Sequence, residues 1–140
     1  MNKKKKLLLL IFLMIFHCNI YGQNLIDLNK IKQIESSGNR LAYNKHSQAR
    51  GFFQITPICL TEYNNFHKIK YTEQDLFNGE INETISRWYF EIRIPQMLRY
   101  FKLEVNIDNI LWAYNGGINK VRKNIMDNET KNYIRKYKEK

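Results

Sequence analysis

Glu35-Ser36-Ser37-Gly38-Asn39-Arg40-Leu41-Ala42, running on to Gly51-Phe52-Phe53-Gln54-Ile55-Thr56-Pro57, is the stretch on which the reading of this chain turns. Upstream of it, Leu25, Leu28, Ile31 and Ile34, supported by Ile26, recur at near-helical spacing, with Asn24 placed to cap the start. Glu35 comes four residues after Ile31 and shares the face that the apolar residues bury, so its carboxyl is open to desolvation. Residues 36–50 are polar and rich in turn formers. They read as a loop, with room for a short hairpin near Ala42 to Asn44 and Gly51 to Phe53. No Asp or Glu occurs from Ser36 to Thr61. One acid at the mouth of an acid-free loop points to chemistry that needs a single proton donor and no partner carboxylate.

Beyond the loop, Thr56 reads as an N-cap with Pro57 at the first helical position, opening a helix to about Asn64. Thr72 to Asp75 fits a short capped turn. Ile81 to Ile92 reads as a longer helix rich in aromatics, and Pro95 must interrupt or kink that run, because it lacks an N–H and clashes with the preceding turn. The helix restarts over Pro95 to Phe101. Asp108 is placed to cap a helix running to Tyr114, which Asn115-Gly116-Gly117 ends, and a last helix spans Glu129 to Tyr137. No repeat, Pro-rich linker or low-complexity tract interrupts residues 23–140. The fold expected is mainly α, a single domain with at most a small β-element after the Glu35 helix.

A length of 140 residues allows one domain. Residues 1–22 read separately from it. Lys3 to Lys6 form a basic start, Leu7 to Phe16 an apolar run, and Ile20-Tyr21-Gly22 puts a small residue at a cleavage point. This is the pattern of a secretory signal peptide, and the run is shorter than the roughly 20 residues a membrane span needs. Lipid attachment at Cys18 is the weaker reading, since His17 stands where such sites carry a small residue. The mature chain, residues 23–140, is then exported to the periplasm or cell envelope and is long enough for one modest core.

That mature chain keeps one cysteine, Cys59, in the apolar context Pro57-Ile58-Cys59-Leu60, where it reads as a small buried hydrophobe and can form no internal disulfide. Four of the ten net positive charges belong to the leader lysines, leaving +6. A basic exported protein is drawn to an anionic wall or membrane surface, although abundant Asn, Ile and Lys also follow from an AT-rich coding sequence. The basic cluster Arg135, Lys136, Lys138 and Lys140 reads as a solvated face, and no nucleic-acid partner is expected. His46 and His67 lack metal-ligand spacing and read as surface residues, so neither metal nor cofactor is expected. Trp88 and Trp112 read as core.

Several of these residues, taken in order, resemble a known family. Glu35-Ser36, Asn39, Ala42, Gly51, Gln54 and Pro57 are similar to the first motif of lytic murein transglycosylases with the soluble-transglycosylase (SLT, lysozyme-like) domain. Ala113-Tyr114-Asn115-Gly116-Gly117 resembles the second motif, and Glu129-Thr130 with Tyr133 the third. Arg93 to Leu98 is similar to a segment that some small members carry between them. The chain departs from the pattern at Arg40, where a Pro is usual, at Asn44, where a Ser is common, and by one added residue between Glu35 and the Gly51–Gln54 segment.

The resemblance implies an enzyme acting on the glycan strands of peptidoglycan. A glycosidase ordinarily uses two carboxylates; these transglycosylases use one. Glu35 would protonate the leaving oxygen and then serve as base toward the C6 hydroxyl of the same muramic sugar, giving a 1,6-anhydro end. Ser36, Asn44, Gln54, Tyr114, Asn115 and Tyr133 would bind substrate or fix the site, with Gln54 bonding an N-acetyl group and the Tyr133 hydroxyl donating to Glu35. Tyr114 and Tyr133 read equally well as packing residues, and Gln54 also reads as a residue that satisfies loop backbone groups. Two other readings stand beside this one: a hydrolytic muramidase, with Glu62 or Asp108 as the second carboxylate, and a non-catalytic wall-binding assembly protein. A monomer of this size is suited to work beside a larger envelope machine, such as a secretion or conjugation apparatus.

Overall fold

The computed structural model describes residues 25–140; the leader at 1–22, its cleavage point and Asn24 lie outside the described residues. The first helix, α1 (Leu28–Ser36), is capped by Asp27, whose carboxylate accepts from the Asn29 and Lys30 amides. Asp27 takes the place that the sequence pattern gave to Asn24, and a carboxylate at that point also suits the positive end of the helix. Ile31 is fully buried, so the apolar stripe faces inward as its spacing requires. Ser37, in the left-handed conformation, ends the helix directly after Ser36.

The loop that follows holds two isolated antiparallel bridges, Tyr43 with Arg50 and Arg50 with Ile55. This is the small β-element expected after α1. Thr56 caps α2 (Pro57–His67) through its side chain, with Pro57 at the first position as read; the helix continues one turn past Asn64. Thr72 and Asp75 bond each other and lead into a 3₁₀ turn, Gln74–Phe77.

Pro95 falls inside a continuous helical run. Helix α3 (Gly79–Trp88), capped by Asn78, passes into a π-helical segment, Tyr89–Arg93, and then into α4 (Ile94–Tyr100). The Ile94 amide reaches back to the Tyr89 carbonyl, five residues away. The wider turn makes room for the proline ring, which would collide with the carbonyl four residues before it in an α-helix.

Helix α5 (Ile107–Gly116) is capped by Asn106 rather than Asp108. The Asn106 side chain accepts from the Asn109 amide, while Asp108 sits in the first turn and pairs with Lys138. Gly117, at φ +86°, ends α5, and a short helix that the sequence reading did not separate, α6 (Ile118–Arg122), follows it. Helix α7 (Asn128–Glu139), capped by Asp127, packs on both α1 and α5. Trp88 and Trp112 lie in the core, as does Phe53 from the loop, and Cys59 is half-buried against it.

Candidate active site

Three elements meet at the end of α1. Glu35 lies in the last turn of that helix, on the side where α7 packs. Tyr133, one turn into α7, is buried, and its hydroxyl donates to Glu35 Oε1 at 2.7 Å. The bond ties one carboxyl oxygen and leaves the other for proton exchange. A cavity of about 300 Å³ opens at this point, lined by Ile34, Glu35, Asn115, Glu129, Asn132, Tyr133 and Lys136.

Burial pushes the Glu35 carboxyl up from its ordinary 4.5 to about 7; the Tyr133 hydroxyl pulls against this, and the negative charge of Glu129 adds to it. Burial is the largest of the three, so the acid's pKa is held up mainly by its removal from water. The Tyr133 phenol is itself pushed well above its ordinary value by burial and by the neighbouring Glu35 charge, and it stays a neutral donor.

The remaining residues singled out in the sequence fall into two groups. Ser36, Tyr114 and Asn115 brace the site. Ser36 Oγ donates to the Phe52 carbonyl at 2.9 Å, joining the end of α1 to the loop. The Tyr114 hydroxyl donates to the Phe53 carbonyl at 2.6 Å, and its ring stacks on Phe90 with centroids 4.2 Å apart, so Tyr114 packs near Glu35 without lining the cavity. Asn115 Oδ1 accepts from Thr130 Oγ1 at 2.8 Å, and a Cβ on Gly116 would lie 2.9 Å from that same hydroxyl, so the contact of α5 with α7 needs glycine there.

Asn44 and Gln54 do not line the Glu35 cavity. Asn44 is exposed, its carbonyl accepting from the His46 and Ser47 amides, which leaves its NH₂ as the group able to meet a ligand. The Gln54 amide nitrogen donates to the Ala42 and Gly51 carbonyls at 3.3 and 3.1 Å. Both its hydrogens are spent on the loop, and only its carbonyl oxygen is left for a sugar. The backbone of Gln54 stands at φ +51° to make this turn.

Neither acid considered as a second carboxylate stands at the cavity. Glu62 is bonded to the Tyr89 hydroxyl and the Arg93 guanidinium. Asp108 is paired with Lys138 at 2.8 Å. The acid that does line the cavity is Glu129, with Asn132 and Lys136 from the same helix face. In the sequence Glu129 stands out only as part of the third motif. The spacing carries a signal, because positions 129, 132, 133 and 136 recur at i, i+3, i+4 and i+7 and so share a face with Tyr133, which the resemblance pairs with Glu35. Among the described residues, no group of three His, Cys, Asp or Glu side chains could hold a metal.

No match was found among curated proteins or among solved structures. Comparison with known families matches residues 17–136, beginning within the stretch read as a leader, to the transglycosylase SLT domain. The helical fold, the Glu35–Tyr133 pair and the order of the three motifs agree with that match, and the chain belongs to the transglycosylase SLT domain family, whose members cleave glycosidic bonds of peptidoglycan.

Proposed function

We propose that this protein is an exported lytic transglycosylase that cleaves the MurNAc–GlcNAc bond of peptidoglycan and leaves 1,6-anhydro-MurNAc ends. The observation that carries the reading is Glu35, whose carboxyl burial pushes up to about 7 in a small cavity under the Tyr133 hydroxyl. Such a group is half protonated at neutral pH and suits both halves of the reaction. Its proton passes to the glycosidic oxygen as the C1–O bond breaks. The C6 hydroxyl then closes on C1 and returns a proton to the carboxylate, with no water consumed. An intramolecular hydroxyl held beside C1 has a large effective concentration over solvent.

One observation favours the hydrolytic reading instead. Glu129 lines the same cavity and is close enough to raise the Glu35 pKa by its charge. A muramidase would use it to activate water. Digestion of purified peptidoglycan in heavy-oxygen water separates the two. Transglycosylation gives anhydro products with no label at C1; labelled reducing ends as the main product mean hydrolysis, with Glu129 as the base. A folded protein that releases neither product from purified peptidoglycan would be a wall-binding protein. The basic and apolar pattern of residues 1–22 supports export.

A further inference from the structure

Asn82 is a polar side chain in the middle of α3, and it is fully buried. Its carbonyl accepts from the Phe53 amide at 2.9 Å, and its NH₂ donates to the Arg50 and Leu76 carbonyls, each at 2.9 Å. Both donors are therefore used, and two of the three bonds go to the loop segment 50–54. That segment is also where the site is braced from the other side, since Phe52 O accepts from Ser36 and Phe53 O from Tyr114. Gly51 lies between these anchors at φ +78°. A Cβ there would stand 2.3 Å from Asn82 Nδ2 and 2.4 Å from the Leu76 carbonyl, so the loop backbone rests directly on the amide. An apolar residue at 82 would leave the Phe53 amide and the Leu76 carbonyl without the partners they have here, while the Arg50 carbonyl would keep the Ile55 amide.

We propose that Asn82 is a positioning residue for Glu35. From behind the loop it fixes the Phe52 and Phe53 carbonyls where Ser36 and Tyr114 dock, and so keeps the wall beside the acid closed. The groups that face Glu35 are Tyr133, Glu129 and Lys136 from α7 and Tyr114 from α5; Arg50, the charged residue of the loop segment, is paired with Glu73 at 2.6 Å. None of these changes its charge when Asn82 is replaced. A loosened loop would therefore act on Glu35 through the entry of water alone.

The inference rests on the reading of Glu35 as the acid, but its test needs no substrate. The carboxyl resonance of Glu35, assigned by its loss in Glu35→Gln, is titrated by carbon NMR in the wild type, in Asn82→Ser and in Ile85→Val. Ile85 is fully buried one turn along the same helix face and makes no bond to the loop. In Asn82→Ser the titration midpoint should fall by one unit or more. The protonated fraction at pH 7 would then drop about fivefold, and the midpoint of Ile85→Val should stay at the wild-type value. An unchanged midpoint in folded Asn82→Ser, or an equal shift in Ile85→Val, overturns the proposal. Should Asn82→Ser fail to fold, hydrogen exchange on the wild type decides. The Phe53 amide should be protected like the core amides of α3, and exchange as fast as that of exposed loop amides overturns the proposal. Glycan cleavage can fail while this result holds, and the reverse, so the two readings are separable.

Discussion

Replacing Glu35 by Gln should make the protein more stable at alkaline pH while removing its activity. The carboxyl moves from 4.5 to about 7 on folding. The folded state therefore holds a proton that the unfolded chain has already released between those values, and stability falls as pH rises through the window. Each unit is about 1.36 kcal/mol, so the ionised carboxyl costs roughly 2 to 3 kcal/mol above pH 7 once water in the open cavity is allowed for. Glutamine keeps the shape and the acceptor for the Tyr133 hydroxyl. It brings two amide hydrogens that must find partners in the cavity, at a cost of about 1 kcal/mol. The expected outcome at pH 8 is a variant more stable by about 1 to 2 kcal/mol, or on the order of 4 to 8 °C in Tm for a domain of this size. At pH 4 the two proteins should be within about 1 kcal/mol of each other, as both side chains are then neutral. Denaturation curves at a series of pH values read this directly, and turnover should fall by about 10²–10⁴. Parallel stability-against-pH curves for the two proteins would refute the desolvation argument. Near-normal turnover in the folded variant would refute the assignment of the acid.

Tyr133→Phe removes the one contact that pulls the Glu35 pKa down, so the alkaline limb of the pH–activity profile should move up by about one unit; a limb that stays or falls would show that the hydroxyl bond does not act on the acid. Glu62→Gln and Asp108→Asn should retain most activity, since both acids are engaged by cations away from the cavity. If either abolishes turnover in a folded protein as fully as Glu35→Gln does, the single-acid mechanism is wrong. Glu129→Gln should lower the Glu35 pKa slightly, because a like charge is removed, and should leave anhydro ends as the product. Loss of all turnover in that variant would favour the hydrolytic route.

The helices were legible because their signals are local. Thr56-Pro57 opens α2 where it was read, and the Ile31-to-Glu35 spacing put the acid on the buried face. Two caps were displaced, to Asp27 and Asn106, because several Asn and Asp residues stand within a few positions of each helix start and tertiary packing chooses among them. The disruption at Pro95 was legible, but not its form, since a π-turn depends on how the flanking helices pack. In the site, the Glu35–Tyr133 contact spans 98 residues and entered only through the family resemblance. For Gln54 the loop-bonding alternative is the one found, whereas the turn of the Asn44 carbonyl toward the His46 and Ser47 amides had no sign in the sequence. Asn82 looked like an ordinary helical polar residue, because nothing in its neighbours reveals a partner 29 positions away.

The raised pKa of Glu35 sets stability and reactivity against each other in one quantity. An ordinary carboxyl at 4.5 would be protonated in only about 1 molecule in 300 at pH 7, whereas a group at about 7 is protonated in half. The enclosure thus gives on the order of a hundredfold more competent acid, a factor that falls within the range of general acid catalysis. The same enclosure destabilises the ionised fold by the matching free energy, so the wall can be tightened only while the core covers the loss. Its material here is Ile34 on α1, Tyr133 on α7, and Tyr114 on α5 bonded to a loop that Ser36 and Asn82 hold in place. Loosening any of these parts should stabilise the carboxylate and reduce the acid together. The polar groups that the bracing has not used, and that stay open to a ligand, are the NH₂ of Asn44, the carbonyl of Gln54, and the Glu129, Asn132 and Lys136 face of α7.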